Sequence, residues 1–361
     1  MPRALGTERA KGNMALRAEI EEGIKQQAEH AARNSAPGTG AVCRAMIALA
    51  MGDTACGRRI REWPLKVIES AMPLRLAGGL HDLFRRGVEP GLGAVYRGEI
   101  TNQADVDILV GDIVARHDTA LLPWFNGPPQ TNEAGRSASF VAALHWLAGR
   151  VAPNFELNEI GSSAGMNLLI DRYRYDLGGV TSGPDDAPVT IRPTWNGSPP
   201  PDTPFSVSSV HGSDIQPIDV GNAAAANRLM AYIWPEMPER FERMEAGIEM
   251  IRARPVNLVQ ADAADFVEAQ LATPQPAGTT RVLMHSIVWQ YLPGAVQQRI
   301  KSAMANACSK ATGEKPLAWI SLETNRATFR HELRVSYWPA GGKPLILGSA
   351  HAHGAWVEWA I

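Results

Sequence analysis

Up to Gly149 the apolar residues recur at helical spacing. Leu16, Ile20, Ile24 and Ala28 form one stripe, and Leu76, Leu80, Leu83 and Phe84 a second. Val106, Leu109 and Ile113 form a third, and Phe140, Leu144 and Leu147 a fourth. Breakers separate them at Ala36-Pro37-Gly38, at Pro73, in the turn 90–93 and at Gly127-Pro128-Pro129. No strand-like alternation stands out. This half reads as an all-helical domain over residues 14–150.

After Pro153 the period shortens. The pattern predicts strands at 155–160 and 205–210, with a helix opened by Gly165 between them. A helical stretch from Asn222 to Arg252 follows, broken at Trp234-Pro235. Then come a strand at 256–260, a helix at 263–271, a strand at 281–287, a helix at 296–308 and a strand at 317–322. Two extended aromatic segments, 333–338 and 351–359, close the chain around Gly341-Gly342. Strands alternating with helices predict an α/β domain over 151–361, a mostly parallel sheet with a C-terminal antiparallel hairpin. The Gly-, Pro- and Asp-rich segment 178–204 reads as an insertion.

Composition narrows the class. A chain of 361 residues, 45% hydrophobic and 20% charged, suits two globular domains. A net charge of −2 gives no general attraction to nucleic acid or to a membrane surface. Cys43, Cys56 and Cys308 are odd in number and outside any ligand spacing, as expected of thiols in a reducing compartment. The opening Met-Pro-Arg-Ala-Leu leads into charged residues, and no apolar run is long enough to span a bilayer. A cytoplasmic location is the expectation; the oligomeric state stays open.

The informative stretch is Glu159-Ile160-Gly161-Ser162-Ser163-Ala164-Gly165-Met166-Asn167. Small residues stand where a strand gives way to a helix, so a ligand can approach main-chain N–H groups. Glu159 can accept from a ligand's ammonium or hydroxyl. The stretch resembles the acid-x-Gly-x-Gly-x-Gly loop of class I methyltransferases, with Ser163 in the middle place. That loop holds the methionine end of S-adenosylmethionine. Three strand ends follow in order. His211-Gly212-Ser213-Asp214 places an acid for ribose hydroxyls, although Asp176 ends an alternative second strand. Gln260-Ala261-Asp262-Ala263 places a carboxylate and a backbone N–H for an adenine edge. Met284-His285-Ser286 ends beside the transferred methyl.

A wider resemblance covers residues 20–360. Gln130-Thr131-Asn132-Glu133-Ala134-Gly135-Arg136-Ser137, the 159–167 junction and Asp171-Arg172-Tyr173-Arg174-Tyr175 are similar to a bacterial family called domain of unknown function 2332. So are 212–219, Tyr232-Ile233-Trp234-Pro235 with Arg240 and Arg243, and His285-Ser286 with Gln290-Tyr291-Leu292. The resemblance implies a Rossmann-like class I methyltransferase fold and S-adenosylmethionine as cofactor. It implies cofactor contacts at Glu159, Gly161, Ser162, Ser163, Gly165, Asn167, Asp214, Asp262 and Ala263. Asn132, Glu133 and Arg136 would face substrate or form a lid, with the helical half as a further wall. His285 is the expected base, followed by Tyr291 and Glu323; the methyl acceptor, small molecule or protein, is left open.

Other constellations compete. Gly161-Ser162-Ser163-Ala164-Gly165 is also a Gly-x-Ser-x-Gly elbow, which would make Ser163 the nucleophile of an α/β-hydrolase with Asp262 and His285, His351 or His353. No His-Gly-Gly oxyanion loop precedes it. A cofactor-binding protein without catalysis is the third reading. His351-Ala352-His353 is expected to be a hydrogen-bonded pair rather than part of a metal site, and Arg172-Tyr173-Arg174-Tyr175 a helix end.

Overall fold

The computed structural model describes residues 5–130 and 132–361, with side chains from residue 18 onward. The first four residues of the charged leader, Thr131 of the 130–137 signature and the side chain of Leu16 lie outside the described residues. The chain divides into two compact units, 1–131 with 223–242, and 132–222 with 243–361.

The first unit is helical: α1 (Leu5–Arg33), α2 (Pro37–Leu49), α3 (Ala55–Arg61), α4 (Met72–Arg85), α5 (Leu92–Tyr96) and α6 (Gln103–Leu121). Ile24, Leu76, Leu80 and Ile113 of the stripes meet in its core with Val42, Met46 and Val110, which the stripes did not include. Asn102 caps α6 by accepting from Ala104 and Asp105 N–H, and Thr54 caps α3 through Gly57 N–H.

The second unit opens with α7 (Ser137–Ala148), buried on every side and packed against strands, which a helix with apolar residues all round requires. Next come β1 (Asn154–Ile160), β2 (Arg174–Leu177), β3 (Val180–Ser182), β4 (Thr190–Ile191), β5 (Thr194–Asn196) and β6 (Ser206–Asp214). The chain supplies α8 (Ala223–Ala231) and the start of α9 (Pro238–Ala253) to the helical unit. It continues through β7 (Asn257–Gln260), α10 (Ala263–Ala272), β8 (Thr279–Ser286), α11 (Gly294–Cys308), β9 (Leu317–Thr324), β10 (His331–Trp338), β11 (Leu345–Ala350) and β12 (Trp356–Trp359).

Nine strands form one sheet in the order β5-β12-β11-β10-β9-β8-β1-β6-β7. From β7 to β9 all neighbours are parallel; β10, β11 and β12 add antiparallel pairs, and β5 closes the edge parallel to β12. The fold is mixed α/β around a large, mostly parallel sheet. β8 is buried at every residue, as a central parallel strand should be. The chain reverses direction across the sheet between β1 and β8, and ligands of open α/β sheets bind outside the strand ends at such a switch point.

Several expectations are corrected. The boundary near 150 moves to 132, because residues 132–148 are buried with the sheet. Gly165 opens only a 3-10 turn, Met166–Leu169. The helix is missing because Tyr173 and Tyr175, both fully buried, draw the chain at once into β2. Arg172-Tyr173-Arg174-Tyr175 is therefore a strand entry rather than a helix end. The segment 178–204 holds β3 and β4 of a small sheet and then β5 of the main one. The closing hairpin is three strands: β11 escaped the pattern, and residues 351–354 are a turn rather than the start of a strand.

Candidate functional site

The end of β1 carries an unusual backbone. Gly161, Ser163 and Gly165 all lie in the left-handed region, with φ of 72°, 53° and 85°. Alternate residues of the loop thus adopt a conformation that favours glycine, which explains the spacing. Around Gly161 there is no room either: a Cβ there would collide with the Val288 side chain.

Polar atoms collect around this loop without partners. Glu159 is 1% exposed; its Oε1 accepts from Asn167 Nδ2 at 2.8 Å, while Oε2 has no hydrogen bond. Asn167 Oδ1, Ser163 Oγ and Ser213 Oγ are likewise buried and unbonded. Burial pushes the Glu159 carboxyl up to about 7, against the opposing pull of Asn167, of the Ser162 hydroxyl and of the nearby Arg136 charge. An unbonded buried acceptor costs roughly 1–3 kcal/mol. Four such oxygens belong to the end of β1, the loop and turn after it, and the adjoining end of β6, with no protein partner among the described residues. Ser162, fully buried, donates to Glu159 O at 3.3 Å.

The other acids have structural partners. Asp214 ends β6 beside β1, where its Oδ2 accepts from Ser163 N (2.8 Å) and its Oδ1 from Gln216 N (2.8 Å). It ties the loop after β1 to the turn after β6. Asp176 belongs to the small sheet, bonded to Gly179 N, so the acid at the second strand tip of the main sheet is Asp214. Asp262 caps α10, accepting from Ala264 N at 2.8 Å, and Ala263 is that helix's first residue. Ala261 N donates to Asp214 O at 3.0 Å, so the tips of β1, β6 and β7 are contiguous.

Asn132, Glu133 and Arg136 are buried inside the sheet unit, tied to the loop and its surroundings. Asn132 Oδ1 accepts from Met166 N at 2.7 Å. Glu133 accepts from Gly135 N and from Arg243, and Arg136 Nε donates to Ala352 O at 2.6 Å. Of the three, Asn132 bonds the segment after Gly165 directly, while Glu133 and Arg136 are tied to Arg243 and to the turn at Ala352.

His285, the expected base, has both ring nitrogens engaged by neighbouring side chains. Its Nε2 accepts from the Trp319 indole N–H at 2.9 Å, so the proton sits on Nδ1 and is donated to Glu323 Oε1 at 2.7 Å. Glu323 Oε1 accepts from Val288 N and Trp289 N as well, which leaves Oε2 as the open acceptor. Tyr291 is 68% exposed and does not line the cavity beside His285. The hydrolase constellation does not assemble either. Ser163 Oγ touches no histidine, and His351 lies in a turn, its Nδ1 accepting from His353 N. Among the described residues no three His, Cys, Asp or Glu side chains cluster as metal ligands.

Two features escaped the sequence reading. Glu156 on β1 forms a buried ion pair with Arg281 on β8 (2.9 and 3.2 Å), which accounts for the polarity of a central strand. Trp289 and Trp319 line a cavity of about 470 Å³ with Glu323 and Lys301. The alternation Trp319, Ser321, Glu323 on β9 was its visible signal.

No curated protein and no solved structure matches the chain. Residues 21–359 match the family described as "Uncharacterized protein conserved in bacteria (DUF2332)". With that span matched and the 130–137 signature inside it, the chain belongs to the bacterial DUF2332 family.

Proposed function

We propose that the protein is an S-adenosylmethionine-dependent methyltransferase with a Rossmann-like fold. The observation that carries the reading is the set of buried, unbonded oxygens at the left-handed loop ending β1. The strand order β7-β6-β1-β8-β9 supports it, since numbering those strands by position along the chain gives 3-2-1-4-5, the order of dinucleotide-binding sheets.

The donor set fits the cofactor's amino-acid end. Glu159 Oε2 and Asn167 Oδ1 are two acceptors suited to an ammonium, and Ser163 Oγ can donate to a carboxylate. Asp214 would take ribose hydroxyls on lone pairs left over from its backbone bonds, and Asp262 with Ala263 would flank the base. When bound, the sulfonium supplies an already activated methyl group. The protein's own task is then alignment and exclusion of water. Val288 covers Gly161, so the loop between β8 and α11 must shift for a ligand to reach that backbone. Glu323 Oε2 is the group placed to accept a proton from a hydroxyl or amine acceptor.

The test is a thermal shift with S-adenosylmethionine and its demethylated product. Saturation at about 100 times Kd should add about 2.7 kcal/mol of stability. The absence of both a rise in Tm and a calorimetric heat at millimolar ligand would overturn the reading.

A further inference from the structure

The face of β9 and β10 away from α7 is left open beside α11. Trp289 and Trp319, both half-buried, cross there with ring centroids 5.6 Å apart at 62°. Lys301 of α11 holds its ammonium 5.7 Å from the centre of the Trp289 ring, and no acidic side chain pairs with it among the described residues. Arg334 of β10 completes the positive side, itself bonded to Glu332. Glu323 is fixed by three donors to Oε1 and presents Oε2 in the same cavity, and Asn325 and Ser321 supply further polar groups. The cavity of about 470 Å³ lies within the range of small-molecule sites.

We propose that this cavity binds a planar aromatic acid: a fused or substituted ring carrying a carboxylate at one end and a hydroxyl or N–H at the other. Each part answers an observation. The half-buried indole surface that lines the cavity favours a flat, polarisable ring over an aliphatic one. Lys301, without an acidic partner among the described residues, favours an anionic group on the ligand. Glu323 Oε2 accepts and cannot donate when ionised, so the group facing it must carry a proton. His285 does not contact the ligand as a base; stacked on Trp289 at 5.2 Å and bonded to both Glu323 and Trp319, it positions these three side chains. That this ligand is the methyl acceptor rests on the reading above, but its binding does not.

The probe is 6-hydroxy-2-naphthoate, titrated by calorimetry against the full chain with no S-adenosylmethionine present. Saturable binding with one site is expected. 2-Naphthol, which lacks the carboxylate, and the saturated decahydronaphthalene-2-carboxylate should each bind at least about tenfold more weakly. Lys301→Gln lies on an exposed helix face and should fold normally; it should weaken the naphthoate about fivefold while leaving 2-naphthol unchanged. Glu323→Gln should weaken the hydroxynaphthoate more than 2-naphthoate. No saturable binding of the naphthoate, equal binding of the saturated acid, or indifference to Lys301→Gln would each overturn the proposal. Failure here with a positive S-adenosylmethionine shift would leave the methyl-transfer reading standing, and the reverse holds too.

Discussion

Glu159→Gln is the most informative single change. In the folded chain the Glu159 carboxyl is pushed from its ordinary 4.5 to about 7, mainly by burial. Below pH 4.5 both folded and unfolded chains hold the proton, and burial costs nothing extra. As pH rises, the unfolded chain releases it first, so the folded state binds more protons and stability falls. The loss is complete above pH 7 and amounts to about 3 kcal/mol over the whole window. Glutamine keeps the shape and the bond to Asn167 but never ionises. Urea unfolding of both proteins, followed by circular dichroism from about pH 5 to about pH 8, should show the variant gaining about 2–3 kcal/mol on the wild type. An ammonium ligand would favour the ionised form, so S-adenosylmethionine affinity should climb with pH up to about 7 in the wild type and stay flat in the variant. Parallel stability curves for the two proteins would refute the reasoning.

Gly161→Ala combines a left-handed backbone with a collision against Val288 and should cost about 2–4 kcal/mol, read as a lower Tm; Val288→Ala should restore part of it. Ser163 should not react with a serine-directed fluorophosphonate, since no histidine bonds its hydroxyl. Labelling of the wild type that disappears in Ser163→Ala would instead establish a hydrolase.

Helical and strand periods carried most of the architecture. Leu76 and Leu80 or Val106 and Ile113 are unambiguous because their stripes face one core. α7 misled the domain boundary for the same reason that makes it a good helix: its sequence says buried, and not against what. The 3-10 turn after Gly165 depended on Tyr173 and Tyr175 reaching Met166 O and Ser137 Oγ, side-chain contacts that helical or strand periodicity does not encode. At the site, glycine and acid spacing located the loop, because left-handed φ restricts residue choice. Roles were harder to read. Asp262 and Asp214 look alike as strand-end acids until their N–H partners are known. His285 looked like a free base because nothing in sequence links it to Trp319, 34 residues away.

The return of residues 223–242 to the helical unit sets the order in which the molecule can be finished. Thr39 bonds Glu236 at 2.7 Å, His81 bonds Ala231 O at 2.9 Å, and the Tyr232 ring packs where Gly78 leaves no room for a side chain. A ribosome delivers those partners only after β1 and β6 have emerged. The helical layer must therefore wait with part of its core open while the sheet strands are being made, which is when nascent chains are most exposed to aggregation and to chaperones. Cutting the gene at residue 131 would not yield a self-sufficient helical domain. Splicing 223–242 onto it through a flexible linker would give one a chance to close.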